Sequence, residues 1–350
     1  MSKSKNTIKV ISPAKVNLFL AVGDKGKGVE KDVHPVLNIM HSLILHDNLF
    51  ISYEPSDKLN ISINILENED INNKLIDIPL NENLVYKAIK LLAKKTKQST
   101  KYNIDIIIEK NIPIKAGLAG GSSNAAAALI GAAKIFGLKK DAPEILECAK
   151  DLGSDIAFFI DGGCALYSGK GEILDHKIQP INREVLILLP IPNEGLSTKD
   201  VYSHFDKINV ASDFDKKFEI ENDNKHHCHD DNCKNHNHEN HNHLNYKSNM
   251  SLRESLSEII YADNVPLFNN LALASEQLMP QLLETKQWLI DKVGEENVLL
   301  CGSGSATFAI VPDELDAEEL AKEAKQNGYC AICTQLANVK SRIVPVTQTF

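Results

Sequence analysis

The chain has 350 residues, 43% of them hydrophobic, and a formal net charge of −9, which suits one large or two ordinary globular domains. The summed negative field argues against nucleic acid or an anionic membrane surface as a partner and leaves room for a small anion held in a locally basic pocket. No apolar run approaches the roughly 20 residues of a bilayer span, and the start "MSKSKNTIKV" has no apolar signal-peptide core, so a cytoplasmic protein is expected.

In chain order, "IKVISPAKVNLFLAV" reads as two β-rich runs broken at Pro13, and "NLFISY" and "NISINI" alternate as half-buried strands do. "NENLVYKAIKLLAKKT" spaces Leu84, Ala88, Leu91 and Leu92 as one helix face behind an Asn81 or Asn83 cap. A strand "YNIDIIIEKNI" closes at Pro113. A glycine-rich turn then runs into the small-residue helix "SNAAAALIGAAKIFG", a second helix "APEILECAKDLG", the segment "GSDIAFFIDGG" and a strand "CALYSG". "EVLILLPIP" starts what reads as a second domain, 182–350 after 1–181, and the irregular order of strands and helices favours an α+β fold over a regular βαβ sheet. Further on, "VPLFNNLALASEQLMPQLLETKQWLIDKVG" is helical with an interrupting Pro280, "NVLLCGSGSATFAIV" is strand, glycine turn, strand, and "ELDAEELAKEAKQNG" is an exposed amphipathic helix.

Between about 208 and 257 the composition changes. "KHHCHDDNCKNHNHENHNH" holds seven of the twelve histidines and almost nothing apolar, so a solvated, disordered insertion is expected. His226, His227, Cys228, His229, Cys233, His236, His238, His241 and His243 suit adventitious zinc, nickel or copper, but match no structural zinc spacing. The seven cysteines of the chain are odd in number and scattered, as reduced thiols are; Cys330 and Cys333 form a lone CxxC with no second pair and read as core residues of a strand.

Pro113, Ile114, Lys115, Ala116, Gly117, Leu118, Ala119, Gly120, Gly121, Ser122 and Ser123 join a strand to a helix. Such a turn can bind phosphate, because the backbone approaches closely, several N–H groups converge and the helix N-terminus adds about half a positive charge. A tight turn with a capped alanine helix is an equally good reading of these residues alone. Neither GxxxxGK[ST] nor GxGxxG fits: no lysine follows Gly121, and Ala119 stands in the second glycine position. Lys15 by itself reads as a solvent-facing strand lysine and Asp155 as a helix cap.

Taken in order, "PAKVNLFL", "IPIKAGLAGGSSNAAAAL", "GSDIAFF", "GLSTKDVYSHFD" and "FNNLALASEQLMP" resemble the motif blocks of the GHMP kinase superfamily, and within it the branch that phosphorylates a diphosphocytidyl methylerythritol. The resemblance covers nearly the whole chain outside the histidine tract. It implies a two-domain fold with the site in the cleft between domains, and ATP- and Mg²⁺-dependent transfer of a phosphoryl group to the 2-hydroxyl of that small molecule in isoprenoid precursor synthesis. By the same resemblance Lys15 and Asp155 are the catalytic pair, and residues 113 to 123 and Asn83 hold ATP, with Ser123 on the magnesium. Asn17, His34, Thr198 and Tyr202 contact the acceptor, and Gly302 to Ser305 form a third, supporting glycine motif. Asp155 would take the hydroxyl proton, and Lys15 would stabilise charge on the attacking oxygen.

The chain departs from the family in the insertion and in "GVEKDVHPVLN", which keeps His34 but has Val33 where the family's "DGYH" carries an aromatic ring. A homoserine or mevalonate type of kinase, and a non-catalytic metal-binding protein on a kinase fold, are the competing readings. Either a monomer or a homodimer is compatible with the sequence.

Overall fold

The computed structural model describes residues 6–25, 33–67, 78–96, 101–190, 195–208 and 252–346. The histidine tract lies outside the described residues. The first half runs β1 (Asn6–Val22), β2 (Val36–Pro55), β3 (Asn60–Glu67), α1 (Leu84–Thr96), β4 (Tyr102–Lys110), α2 (Gly120–Ile135), α3 (Pro143–Leu152), α4 (Ser154–Asp161), β5 (Cys164–Ser168) and β6 (Ile173–Ile178). The second half adds β7 (Glu184–Leu189), α5 (Thr198–Ile208), α6 (Leu252–Ser257), β8 (Phe268–Asn269), α7 (Ala272–Leu278), α8 (Gln281–Val293), β9 (Val298–Leu300), β10 (Thr307–Ile310), α9 (Ala317–Gln326), β11 (Cys330–Gln335) and β12 (Arg342–Val344).

The larger sheet has the order β12-β1-β2-β4-β3, extended by β5 and β6 beside β2 and by β8 beside β1; the smaller has the order β11-β7-β10-β9. One face of the larger sheet packs on α1 to α4, through Val10, Leu49 and Ile51 against Ile89, Leu129 and Phe158. Its other face meets the smaller sheet, through Val16, Leu18 and Leu43 against Ile187 and Phe308. The far face of the smaller sheet is covered by α8 and α9. The result is the expected α+β architecture. Strands β8 and β12 come from beyond residue 182 yet join the larger sheet, so a cut at 181/182 would take two strands from it.

The sequence suggests a break at Pro13, but β1 continues through it as one 17-residue strand. Proline cannot donate to the ladder, and the irregularity is absorbed by register shifts between Pro13 and Lys15 and again between Asn17 and Phe19. A one-residue shift exchanges the faces of a strand. Val10 accordingly packs toward the helices, whereas Ala14, Val16 and Leu18, of the same parity, pack toward the smaller sheet. Lys15 and Asn17 lie on the opposite side from that core, and both line the cleft described below.

Helix α2 is buried nearly all round, with Ala125 to Leu129 fully enclosed. Small side chains let it lie close to the sheet: a Cβ on Gly131 would fall 2.4 Å from Ile51 Cδ1. Cys330 packs with the core between the sheets and Cys333 with the core beneath α9, on opposite faces of β11. The two are strand-core residues, as the sequence suggests, and Cys333 Sγ donates to Ala317 O.

His41 on β2 is fully buried; its Nδ1–H donates to Ser42 O (2.9 Å) and its Nε2 accepts from Ile181 N–H (3.1 Å), fixing the neutral tautomer. Burial lowers its pKa from 6.5 to about 4. Between those values the unfolded chain binds the extra proton, so this group's stabilisation is complete above the unfolded pKa and is lost as pH falls toward 4, about 3 kcal/mol in all. Urea denaturation from pH 7 to 4.5 should show a shallower loss in His41→Gln than in the parent chain; equal slopes would mean that His41 does not contribute to the acid sensitivity.

Candidate active site

A cleft of about 540 Å³ is lined by Lys15 and Asn17 of β1, the turn before α2, the first turn of α4, the start of α5, and Gly302 and Ser303 between β9 and β10. The turn owes its shape to left-handed residues at Lys115 (φ 55°), Gly117 (φ 79°) and Ala119 (φ 56°). For the two non-glycines this costs on the order of 1 kcal/mol each. Gly117 is obligatory on a second ground, since a Cβ there would fall 1.9 Å from Cys301 O. Backbone bonds fasten the turn to its surroundings: Lys15 N–H to Leu118 O (3.3 Å), Ser305 N–H to Lys115 O (3.3 Å) and Ala306 N–H to Ala116 O (3.2 Å). Helix α2 begins at Gly120 with no side chain capping it, which leaves its first N–H groups facing the cleft for a ligand.

Lys15 is almost fully buried; its ammonium donates to Asn17 Oδ1 (2.6 Å) and stands 3.8 Å from Asp155 Oδ2. Asn17 Nδ2 in turn donates to Asn38 Oδ1 (2.7 Å). Asp155 occupies the first turn of α4, where the helix dipole favours negative charge, and its side chain is 29% exposed to the cleft. Gly302 backs the lysine: a Cβ there would come within 3.3 Å of Asn17 Oδ1 and 3.7 Å of Lys15 Nζ.

The cleft also brings together Asn83, Ser122, Thr198 and Tyr202. Asn83 Oδ1 caps α1 by accepting from Val85 N–H (2.9 Å), leaving its amide NH₂ for the cleft. Thr198 shares a hydrogen bond with Ser303 (3.1 Å). The Tyr202 hydroxyl is pushed up to about 12 by burial and by the charge of Asp155, so it is a donor at neutral pH.

Two sequence expectations do not fit this geometry. Ser123 is fully buried, bonded to Ser12 (2.8 Å), and does not line the cleft; one position earlier on the helix, Ser122 does. His34 is buried behind Tyr202, with ring centroids 5.3 Å apart, Nδ1–H on Gly23 O and Nε2 3.0 Å from Asp206 Oδ1. It supports the tyrosine and does not form the cleft wall.

Asn38, Lys110 with its partner Asp47, and Asn269 are assigned no role from the sequence but also shape the site. Asn38 completes the Lys15–Asn17 chain. Lys110, at the end of β4, lies in the cleft floor, 3.0 Å from where a Cβ on Gly120 would be, and pairs with buried Asp47. Asn269 donates to Leu300 O (3.0 Å) and Gly302 O (2.7 Å), which fixes the turn behind Lys15. For Asn38, Asp47 and Lys110 the sequence offers only a polar residue beside an apolar run, whereas Asn269 lies in the motif "FNNLA".

Residues 83–163 match the family model for the GHMP kinases N terminal domain and 249–330 that for the GHMP kinases C terminal. A relative from Prochlorococcus marinus (strain MIT 9301), named 4-diphosphocytidyl-2-C-methyl-D-erythritol kinase, is 34% identical over 95% of this chain and 96% of its own length. This chain belongs to the GHMP kinase family. A second relative of this GHMP kinase, of the same name and from Syntrophomonas wolfei, is 32% identical over 91% of the chain and 94% of its own. It is accordingly a small-molecule phosphotransferase. The fold is also that of a solved 4-(cytidine 5'-diphospho)-2C-methyl-D-erythritol kinase (TM-score 0.61, 23% identity, 94% and 99% of the two chains). A solved mevalonate kinase from Methanococcus jannaschii is nearly as similar in shape (TM-score 0.59, 17% identity, 97% and 100%), so the fold of this GHMP kinase does not choose its acceptor. Among the described residues no helix is long and apolar enough to cross a membrane.

Proposed function

We propose that this GHMP kinase transfers the γ-phosphate of ATP to the 2-hydroxyl of 4-diphosphocytidyl-2-C-methyl-D-erythritol. The observation that carries the chemistry is the Lys15–Asp155 pair, 3.8 Å apart in the same cleft as an uncapped helix N-terminus behind a glycine turn. The acceptor rests on the near end-to-end similarity to relatives of that name.

Phosphoryl transfer has a loose transition state, so positioning and charge stabilisation do most of the work. The N–H groups at the start of α2 hold the phosphate chain, with the Ser122 hydroxyl beside them. Asn83 stands with apolar Ile65, Leu84 and Ile108 on the α1, β3 and β4 side, a wall suited to the adenine base. Asp155 accepts the proton of the attacking hydroxyl, and Lys15, held by Asn17, stabilises the negative charge that develops on that oxygen. Thr198 and Tyr202 present hydroxyls to the cytidyl end of the acceptor. Among the described residues no group of three or more His, Cys, Asp or Glu is placed to hold a metal. Magnesium entering with the nucleotide would be held beside Ser122 and Asp155, two oxygen-bearing side chains that line this cleft. Bound there, Mg²⁺ would neutralise charge on the β- and γ-phosphates.

With Mg-ATP, the protein should turn over the diphosphocytidyl acceptor with a kcat/KM more than about 100-fold above that for mevalonate or homoserine, since sites that hydrogen-bond a substrate reject analogues lacking those groups. An ADP-release assay across the three alcohols measures this. Comparable turnover of mevalonate or homoserine would sink the acceptor assignment and leave the kinase.

A further inference from the structure

We propose that the ammonium of Lys115 is itself a ligand for the nucleotide's phosphate chain. This rests on the reading of residues 113–121 as the nucleotide turn and extends it from backbone to side chain. Four lysines line the cleft: Lys15, Lys110, Lys115 and Lys170. The Lys15 ammonium is engaged by Asn17 and Asp155, and that of Lys110 by Asp47. Lys170 belongs to a turn that packs on the start of α4, where a Cβ on Gly171 would sit 3.1 Å from Ser154 Cβ, so it lies on the Asp155 side. Lys115 is on the turn that leads to α2, it is exposed, and its side chain makes no ion pair or hydrogen bond among the described residues.

The backbone at Lys115 is held from two sides. Its carbonyl accepts from Ser305 N–H, and Gly195 approaches so closely that a Cβ there would fall 2.1 Å from Lys115 Cβ and 2.4 Å from Lys115 O. The left-handed φ of 55° is therefore imposed by packing, and glycine would meet it without strain. A lysine at this position adds strain and nothing to the internal bonding of the fold. What it does add is a positive charge on the phosphate-binding turn. Backbone strain of this kind clusters at functional sites, and a flexible ammonium is suited to a triphosphate. Ala119, left-handed in the same turn, carries no such group.

The test is calorimetric titration of Mg-AMP-PNP into the wild type and into K115G, K115A and K115R, with adenosine as a probe lacking phosphate. Removing a charge-assisted contact should weaken AMP-PNP binding about tenfold in K115G and K115A, while K115R stays within about threefold. Adenosine should bind all four proteins equally. K115G should also melt no lower than wild type, because the strain is gone; a binding loss with no stability loss is what a merely structural lysine would not give. AMP-PNP binding unchanged in K115G and K115A overturns the proposal, and so does a parallel loss for adenosine, which would mean a distorted turn. Failure of the wild type to bind AMP-PNP at all would overturn the nucleotide-turn reading itself, and this inference with it.

Discussion

Asp155→Asn is expected to lower kcat by about 10²- to 10⁴-fold, the usual contribution of a general base, while the affinity for Mg-ATP changes little. Asparagine keeps the shape and still suits the first turn of α4, so the fold should be undisturbed. It cannot accept the hydroxyl proton, and it leaves the Lys15 ammonium without the carboxylate 3.8 Å away. The two effects act on the same step, the formation of a nucleophilic oxygen. Steady-state kinetics with separate determination of kcat and of ATP binding distinguishes this from a positional defect. A variant retaining a tenth of the parent kcat or more would show that Asp155 is not the proton acceptor.

The second large effect is on stability. Asp47 is fully buried and uses both carboxylate oxygens: Oδ2 takes the Lys110 ammonium at 2.5 Å, and Oδ1 takes the N–H groups of Asn111 (2.7 Å) and Ile112 (2.8 Å). Truncating it to alanine takes the acceptor from a buried ammonium, the buried N–H of Ile112 and the part-buried N–H of Asn111, a change that typically costs about 3–5 kcal/mol. Lys110 forms part of the cleft floor under Gly120, so the loss should extend to nucleotide binding. Asp47→Asn keeps part of the bonding and should fall between. Urea denaturation gives the measurement, and a loss below about 1 kcal/mol for Asp47→Ala would mean that the pair is relaxed by water or by movement of Lys110.

The residues proposed to take part in the reaction are the more legible part of the site. Lys15, the glycine turn and Asp155 are each ambiguous alone; their order along the chain is what carries the resemblance from which their proposed roles come. The geometry that aims them was not legible. Nothing in "SPAKVNLFL" says that β1 runs through Pro13 or that two register shifts turn Lys15 and Asn17 into the cleft; those are set by the pairing of β1 with residues 38–48 of β2.

Helix phase explains in a similar way why Ser122, and not Ser123, lines the cleft. A helix with one apolar face tells which of two adjacent residues points inward, but α2 is buried nearly all round, so its sequence has no polar stripe from which to choose between Ser122 and Ser123. The start of the helix at Gly120, set by left-handed Ala119, decides it. Asn269 and Asn270 in "FNNLA" were visible as a motif but not as a device. One holds the Gly302 turn, and the other binds both backbone groups of Val22, joining the end of β1 to the start of α7.

The proposed reaction moves one phosphate from ATP to one particular hydroxyl in this cleft. Its most direct test is ³¹P NMR of the reaction of the purified protein with Mg-ATP and 4-diphosphocytidyl-2-C-methyl-D-erythritol. ADP and a single new phosphomonoester on the 2-oxygen of the acceptor are expected, with the diphosphate bridge intact. ADP with free inorganic phosphate, or a phosphate on another oxygen, would contradict it.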